Sequence, residues 1–183
     1  MTTNDVMLLV VDALNREKIP AMLVGSFSSN YYGIPRSTED VDFVIQIDSS
    51  LTTDFARVLG GQFEPESQLK FETNTGTQKQ EFKVKGTDFK LELFRLSDDP
   101  FDQQRFKTRK PVLVAGREVW FPRAEDVIVM KLRWSRAKDK EDVKDVMFVQ
   151  HGKLDWKYME HWCRQHGSLD RLQELRRAVE EKL

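Results

Sequence analysis

Val24-Gly25-Ser26, followed after thirteen residues by Asp40-Val41-Asp42-Phe43-Val44, is the stretch that decides how this chain is read. Residues 40–47 alternate as a strand does: Val41, Phe43, Ile45 and Ile47 fall on one face, and Asp40 and Asp42 share the other. Two carboxylates projecting side by side repel each other and are costly to hold unless a cation neutralises them. Hard oxygen donors at this spacing suit Mg²⁺ or Mn²⁺, which take one or two carboxylates together with phosphate oxygens. Just upstream, residues 21–24 read as a short buried strand, and Gly25-Ser26 as the turn into a short helix ending near Tyr32. A helix N-terminus offers free N–H groups and the positive end of its dipole to an anion. Gly25 permits close backbone approach, and Ser26 adds a hydroxyl donor. The bland alternative is a serine-capped helix beside an acidic strand end. It leaves the strand–turn–helix–strand order around the two acids as a coincidence.

Outward from this stretch, Asn4 or Asp5 caps a first helix that runs to about Lys18 and is stopped by Pro20. Gly33, Pro35 and Ser37 mark a loop before the acidic strand. Ser49 or Ser50 caps the next helix, which ends at Gly60-Gly61. Strand-like runs follow at 69–73, 80–85 and 88–94, and residues 111–115 and 118–121 flank Gly116-Arg117 as a hairpin. From Pro122 onward the periodicity is helical, over roughly 124–136, 139–150, 155–165 and 169–182. Strands early and helices late predict an α+β fold: a mixed β-sheet core flanked by helices over residues 1–122, and a helical C-terminal extension over 123–183.

The chain has 183 residues, enough for one substantial core with an appendage and too few for two independent ones. Its 29 basic and 30 acidic side chains give a net charge of −1, which argues against a surface built all over to grip nucleic acid. The balance is uneven: residues 1–66 carry −6 and residues 67–183 carry +5. A lone Cys163 excludes an internal disulfide, and the apolar run at 6–11 is too short for a membrane span, so a cytoplasmic protein without membrane attachment is expected.

A third carboxylate would complete a two-metal site. In Lys90-Leu91-Glu92-Leu93-Phe94, the two leucines face one side and Glu92 the other; Asp88 shares the parity of Glu92 and is the fallback. Lys131 interrupts the apolar run 127–132 of a helix. It is either a snorkelling lysine or a cation aimed at a nucleotide phosphate. Asp142, beside the stripe Val143, Val146 and Met147, is placed to orient Lys131 or Arg136, or to touch substrate. Asp139 reads as a helix cap. Arg36 could clamp phosphate from its loop or simply be solvated, and the Thr38 hydroxyl could fix that loop.

These residues resemble a known group. Val24-Gly25-Ser26 through Asp40-Val41-Asp42-Phe43-Val44 is similar to the signature of the polymerase-beta-like nucleotidyltransferase superfamily. Arg36-Ser37-Thr38-Glu39-Asp40-Val41-Asp42 is closer to its AbiEii-type branch, the abortive-infection toxins, with their R-x-T-x-D-x-D pattern. The segments 125–132 and 136–143 resemble that branch's later K-L…R-x-K-D-x-x-D region, and the likeness spans about residues 21–146. The third acid of the family is more often Asp, where this chain has Glu92.

The resemblance implies a nucleotidyltransferase-like fold and transfer of NMP from an NTP such as ATP to an acceptor hydroxyl, with pyrophosphate released. It implies Asp40, Asp42 and Glu92 as catalytic metal ligands for Mg²⁺ or Mn²⁺. Nucleotide contacts would come from Gly25, Ser26, Arg36, Thr38, Lys131 and Asp142. RNA or tRNA, a protein, or a small molecule of the aminoglycoside kind would be the acceptor, and a cognate antitoxin or regulatory protein a partner. A nucleotide-binding module without turnover is the alternative, and the direction of Glu92 separates the two.

Other features carry less. His161 and Cys163 diverge by about 160° on a helix, which removes them as a zinc pair with His166. Trp156, Tyr158 and Trp162 read as helix-packing residues rather than a base-stacking platform. Lys83, Lys85, Arg105, Lys107, Arg109 and Lys110 read as solvated surface that could also guide a polyanionic acceptor.

Overall fold

The computed structural model describes residues 1–48 and 55–183. Helix α1 (Thr3–Arg16) starts two to three residues earlier than the expected caps Asn4 or Asp5 suggest. Thr2 is the N-cap, and it exchanges hydrogen bonds with Asp5 in a capping box. Strand β1 (Ala21–Val24), helix α2 (Gly25–Tyr32) and strand β2 (Asp40–Ile45) follow in the expected order. The expected Ser49 or Ser50 cap lies outside the described residues. Of its helix, α3 (Ala56–Leu59) is seen, closed by Gly60 at φ 106°. Three short strands come next: β3 (Phe63–Pro65), which the sequence did not announce, β4 (Lys70–Phe71), shorter than expected, and β5 (Gln78–Val84). Strand β6 (Lys90–Arg95) leaves Asp88 exposed in the preceding turn.

The polar stretch after β6 is a helix rather than a loop: α4 (Pro100–Lys107), with Asp99 as N-cap accepting from the Phe101 and Asp102 amides and Pro100 opening the first turn. Strands β7 (Lys110–Val114) and β8 (Arg117–Phe121) form the expected hairpin, but its tight turn is Ala115-Gly116, one residue early. Both turn residues have positive φ, 47° and 77°, the geometry that matches strand twist. Four helices complete the chain: α5 (Ala124–Trp134), α6 (Ala137–Val149), α7 (Trp156–Gln165) and α8 (Leu169–Glu180).

The main sheet runs β1-β2-β6-β5-β3, with β4 on β5. Among the described residues only β2 and β6 are parallel; the other pairs are antiparallel. One sheet face packs Val41, Phe43, Phe82, Leu91 and Leu93 against Val6, Val10 and Leu14 of α1 and against the β7–β8 hairpin. On the opposite face Met22, Val24, Val44 and Phe94 meet Phe106 and Trp134. The helices α5 to α8 enclose a further core around Phe101, Ile128, Leu132, Val146 and Cys163. The face opposite α1 therefore carries both apolar residues and the acids, divided along the strands. Phe94 and Val44 lie toward the C-terminal ends, with Glu92 and Asp42 one same-face position earlier.

Candidate active site

The parity of β2 and β6 sets the site. Asp42 lies directly opposite Glu92 in the parallel pair, and Glu92 lies opposite Glu81 of β5. Three acidic side chains thus form a row across three neighbouring strands, which are spaced about 4.8 Å apart. Like charges placed directly opposite are destabilising, so the row must find cations. Glu81 has two: Lys70 Nζ at 2.6 Å and Lys79 Nζ at 2.8 Å. Burial alone would raise the Glu81 pKa, but these two ammonium groups override it and hold it at about 2. Glu92 accepts from Lys79 Nζ at 3.1 Å.

Among the described residues Asp42 has no such ion pair; Lys131 and Lys138 act on it only at longer range. Part of its surface still meets solvent, yet protein atoms crowd the carboxyl closely. Its desolvation, then repulsion from Glu92 and Asp40, pushes its pKa up to about 7. The Gly25 turn is what allows the crowding. Gly25 sits at φ 63°, and a Cβ there would overlap Asp42 Oδ2. Its conformation and its contact both call for glycine.

The Gly25 turn opens α2 as expected, and the Ser26 hydroxyl beside it is tied to residues far away in sequence. Ser26 Oγ accepts from Arg36 Nη2 at 3.0 Å, which leaves the serine hydrogen to donate elsewhere. Arg36 is bidentate to Asp142, through Nε to Oδ1 at 2.7 Å and Nη2 to Oδ2 at 2.9 Å, and its Nη1 donates to the Ser37 carbonyl at 3.3 Å. Asp142 Oδ2 also accepts from Lys131 Nζ at 2.7 Å and from Ser29 Oγ at 3.3 Å. Burial would raise the Asp142 pKa, but the Arg36 and Lys131 hydrogen bonds prevail and hold it at about 2. Lys131 is 7% exposed and Asp142 4%, so neither is a snorkelling surface charge. Lys131 reaches Asp139 as well, at 3.5 Å. Asp139 also accepts from the Arg136 amide at 3.1 Å, the capping role expected of it, although it stands three residues inside the cap. Thr38 bonds both the N–H and the C=O of Asp40 through its hydroxyl, which pins the loop entering β2.

The sequence-derived candidates thus fall into two groups on one side of the sheet: the carboxylates Asp40, Asp42 and Glu92, and the network Ser26, Arg36, Lys131 and Asp142 joined to them through the Gly25 turn. Arg36 is less a free phosphate clamp than the link between Ser26 and Asp142. Lys79, Arg133 and Trp134 were missed, and Arg136 was named only as a residue that Asp142 could orient. With Glu92 and Phe94 they line a groove of about 380 Å³. Arg136 stacks over the Trp134 ring at 4.5 Å, while Arg133 is bidentate to Asp99 at 3.1 and 3.0 Å. No sequence signal marks Lys79, Arg133 or Trp134, because strand order and a helix corner bring them together.

The donor chemistry fits a divalent metal in part. Asp40 and Asp42 present hard oxygens on one strand face, a pair sufficient for Mg²⁺ or Mn²⁺ when phosphates complete the shell. Among the described residues, however, no three His, Cys, Asp or Glu side chains are gathered as a metal-holding group. Glu92 faces the same way as Asp42 but is engaged by Lys79. Among the described residues, no helix is long and apolar enough to cross a membrane.

Comparison with known proteins accords with this architecture. A family model described as a nucleotidyltransferase of unknown function (DUF6036) matches residues 102–180, the segment that contains Lys131, Asp139 and Asp142 and excludes Asp40 and Asp42. No curated protein matches the chain. Among solved structures, an antigenic nucleotidyltransferase-like protein from Paracoccidioides brasiliensis superposes with a TM-score of 0.66 at 18% identity, over 99% of this chain and 93% of that one. JHP933 from Helicobacter pylori gives 0.46 at 15% identity, over 98% and 92%. The antibiotic-resistance factor ANT(2'')-Ia gives 0.46 at 16% identity, over 100% and 94%. The mixed sheet, its flanking helices and the first of these superpositions make this a nucleotidyltransferase-like fold.

Proposed function

We propose that this protein is a divalent-metal-dependent nucleotidyltransferase that moves NMP from an NTP to an acceptor hydroxyl. The observation that carries the reading is the Asp42 carboxyl: it is crowded against a left-handed glycine at a helix N-terminus, faces Glu92 across a parallel pair, and, among the described residues, feels Lys131 and Lys138 only through space, with no ion pair to either. Such a group is poised for a metal and a phosphate together. Asp40 and Asp42 would hold Mg²⁺ or Mn²⁺, with Glu92 as the third ligand, and such a metal would supply Lewis-acid neutralisation of phosphate charge.

The chain's own residues then have definite tasks. The amides at the start of α2 and the Ser26 hydroxyl hold the triphosphate, and Arg36 fixes Ser26 in place. Lys131, held by Asp142, keeps positive charge close to the turn as negative charge develops on the phosphates. Glu92 takes the proton of the attacking hydroxyl. That oxygen bonds to the α-phosphorus as the bond to the bridging oxygen breaks and pyrophosphate leaves. The groove beside Glu92, about 380 Å³, falls within the size range of ligand pockets.

In this reading residues 1–122 form the catalytic core. Residues 123–183 form the helical extension that supplies Lys131 and Asp142. The shared face of Glu92 and Asp42 favours turnover over a binding-only module. RNA, tRNA, protein and small hydroxylated molecules remain as acceptor classes, and the motif likeness to abortive-infection toxins gives an antitoxin as a candidate partner. The test is incubation with each α-labelled NTP, Mg²⁺ or Mn²⁺, and total cellular RNA, protein and metabolites. Label should transfer to one fraction with the wild type and not with Asp40→Ala/Asp42→Ala. Absence of transfer with every NTP and fraction would contradict the reading.

A further inference from the structure

The acidic row Asp42, Glu92, Glu81 holds a built-in cation that the reaction itself does not require. Lys79 stands one same-face position along β5 from Glu81 and diagonally from Glu92, because the register pairs Glu81 with Glu92 and Lys79 with Phe94. Its ammonium bridges both carboxylates, at 2.8 Å to Glu81 and 3.1 Å to Glu92, and lies 5.6 Å from the centre of the Phe94 ring. Glu81 has a second partner in Lys70, whereas Lys79 is the ion-pair partner seen for Glu92. Glu92 and Asp42 face each other in register, yet among the described residues they are not gathered with a third acid into a metal-holding group.

We propose that Lys79 is a positioning residue that parks Glu92 and competes with a divalent cation for it, so that the metal site closes only when Lys79 releases Glu92. The inference rests on the metal-dependent reading above. When Glu92 is released, Lys79 remains anchored by Glu81, and its charge stays on the rim of the groove that also holds Arg133 and Arg136. Opposite charges a few ångströms apart at a protein surface interact strongly enough to matter. Removing the ammonium takes away both a competitor for Glu92 and a repulsive charge beside the metal.

The experiment measures Mn²⁺ binding to the whole chain without nucleotide, by calorimetry and by the loss of the free-ion paramagnetic resonance signal. Lys79→Met should bind Mn²⁺ about tenfold more tightly than wild type, an effect that one such charge can carry. Lys79→Arg should restore wild-type affinity. Adding Glu92→Gln to Lys79→Met should cancel the gain, and circular dichroism should show all variants folded. Mn²⁺ binding by wild type with an unchanged or weaker affinity in Lys79→Met would overturn the role of Lys79 and leave the proposed function standing. Binding by Lys79→Met alone would be the proposal's strongest form. Absence of binding in every variant would overturn the metal-dependent reading along with it.

Discussion

Gly25 and Asp42 occupy positions that exclude any larger residue at 25: the glycine is left-handed, and a Cβ on it would overlap the carboxylate oxygen of Asp42. Gly25→Ala therefore meets two penalties. The left-handed backbone costs about 1–2 kcal/mol for a residue with a side chain. The Asp42 carboxylate must also move. We predict a lowered melting temperature together with loss of nucleotide binding well beyond what the destabilisation explains. A Gly25→Ala variant with wild-type nucleotide affinity would show that the contact has no functional consequence.

Asp42 makes stability depend on pH in a direction unusual for a carboxylate. Its pKa is pushed above the ordinary 3.8 to about 7, so the folded chain keeps a proton that the unfolded chain has already lost. That contribution is fully present below pH 3.8 and disappears as pH rises through 7. Asp42→Asn removes it. With divalent metal chelated, wild type should lose stability relative to Asp42→Asn between pH 4 and 7, and the variant should be the more stable above pH 7. Thermal melts of the pair across that range check this; a constant difference would mean that Asp42 is not strained by its surroundings.

Lys131 and Asp142 form a buried ion pair at 2.7 Å whose partners also hold Arg36 and Asp139. Breaking such a pair by deleting one partner leaves an uncompensated buried charge and costs about 3–5 kcal/mol. Lys131→Ala should fall in that range in denaturant unfolding, and Lys131→Met/Asp142→Leu should recover much of the loss without recovering turnover. A loss below about 1 kcal/mol would place the pair with exposed ion pairs instead. The depressed pKa of Asp142 adds a sign: its stabilisation is complete above pH 3.8 and fades as pH falls toward 2.

The parts of the site that could be read from the sequence are those governed by period. Val41 and Phe43 point inward and Leu91 and Leu93 do the same, which leaves Asp42 and Glu92 on the other face once β2 and β6 pair in register. Helix α4 escaped because its buried side carries the ion pair Asp102–Arg105 between Phe101 and Phe106, so the apolar periodicity is interrupted where it should be continuous. The partner of Lys131 could be named as a candidate, since it lies eleven residues on; the partner of Arg36 lies 106 residues away, and no local pattern encodes it. Lys79 was invisible for a related reason. Its neighbour Glu92 is set by the strand order β6-β5, and alternating lysines on a strand look like ordinary solvated surface.

Whether Asp42 belongs to a metal-assisted nucleotide site can be measured by binding, without any knowledge of the acceptor. Titration of the wild-type chain with a set of NTP analogues non-hydrolysable between the α- and β-phosphates, with Mn²⁺ and with chelator, should show at least one analogue bound only when Mn²⁺ is present. Asp42→Asn should abolish that dependence while remaining folded. Equal nucleotide binding with and without metal, or metal-dependent binding that survives Asp42→Asn, would contradict a metal-assisted role for Asp42.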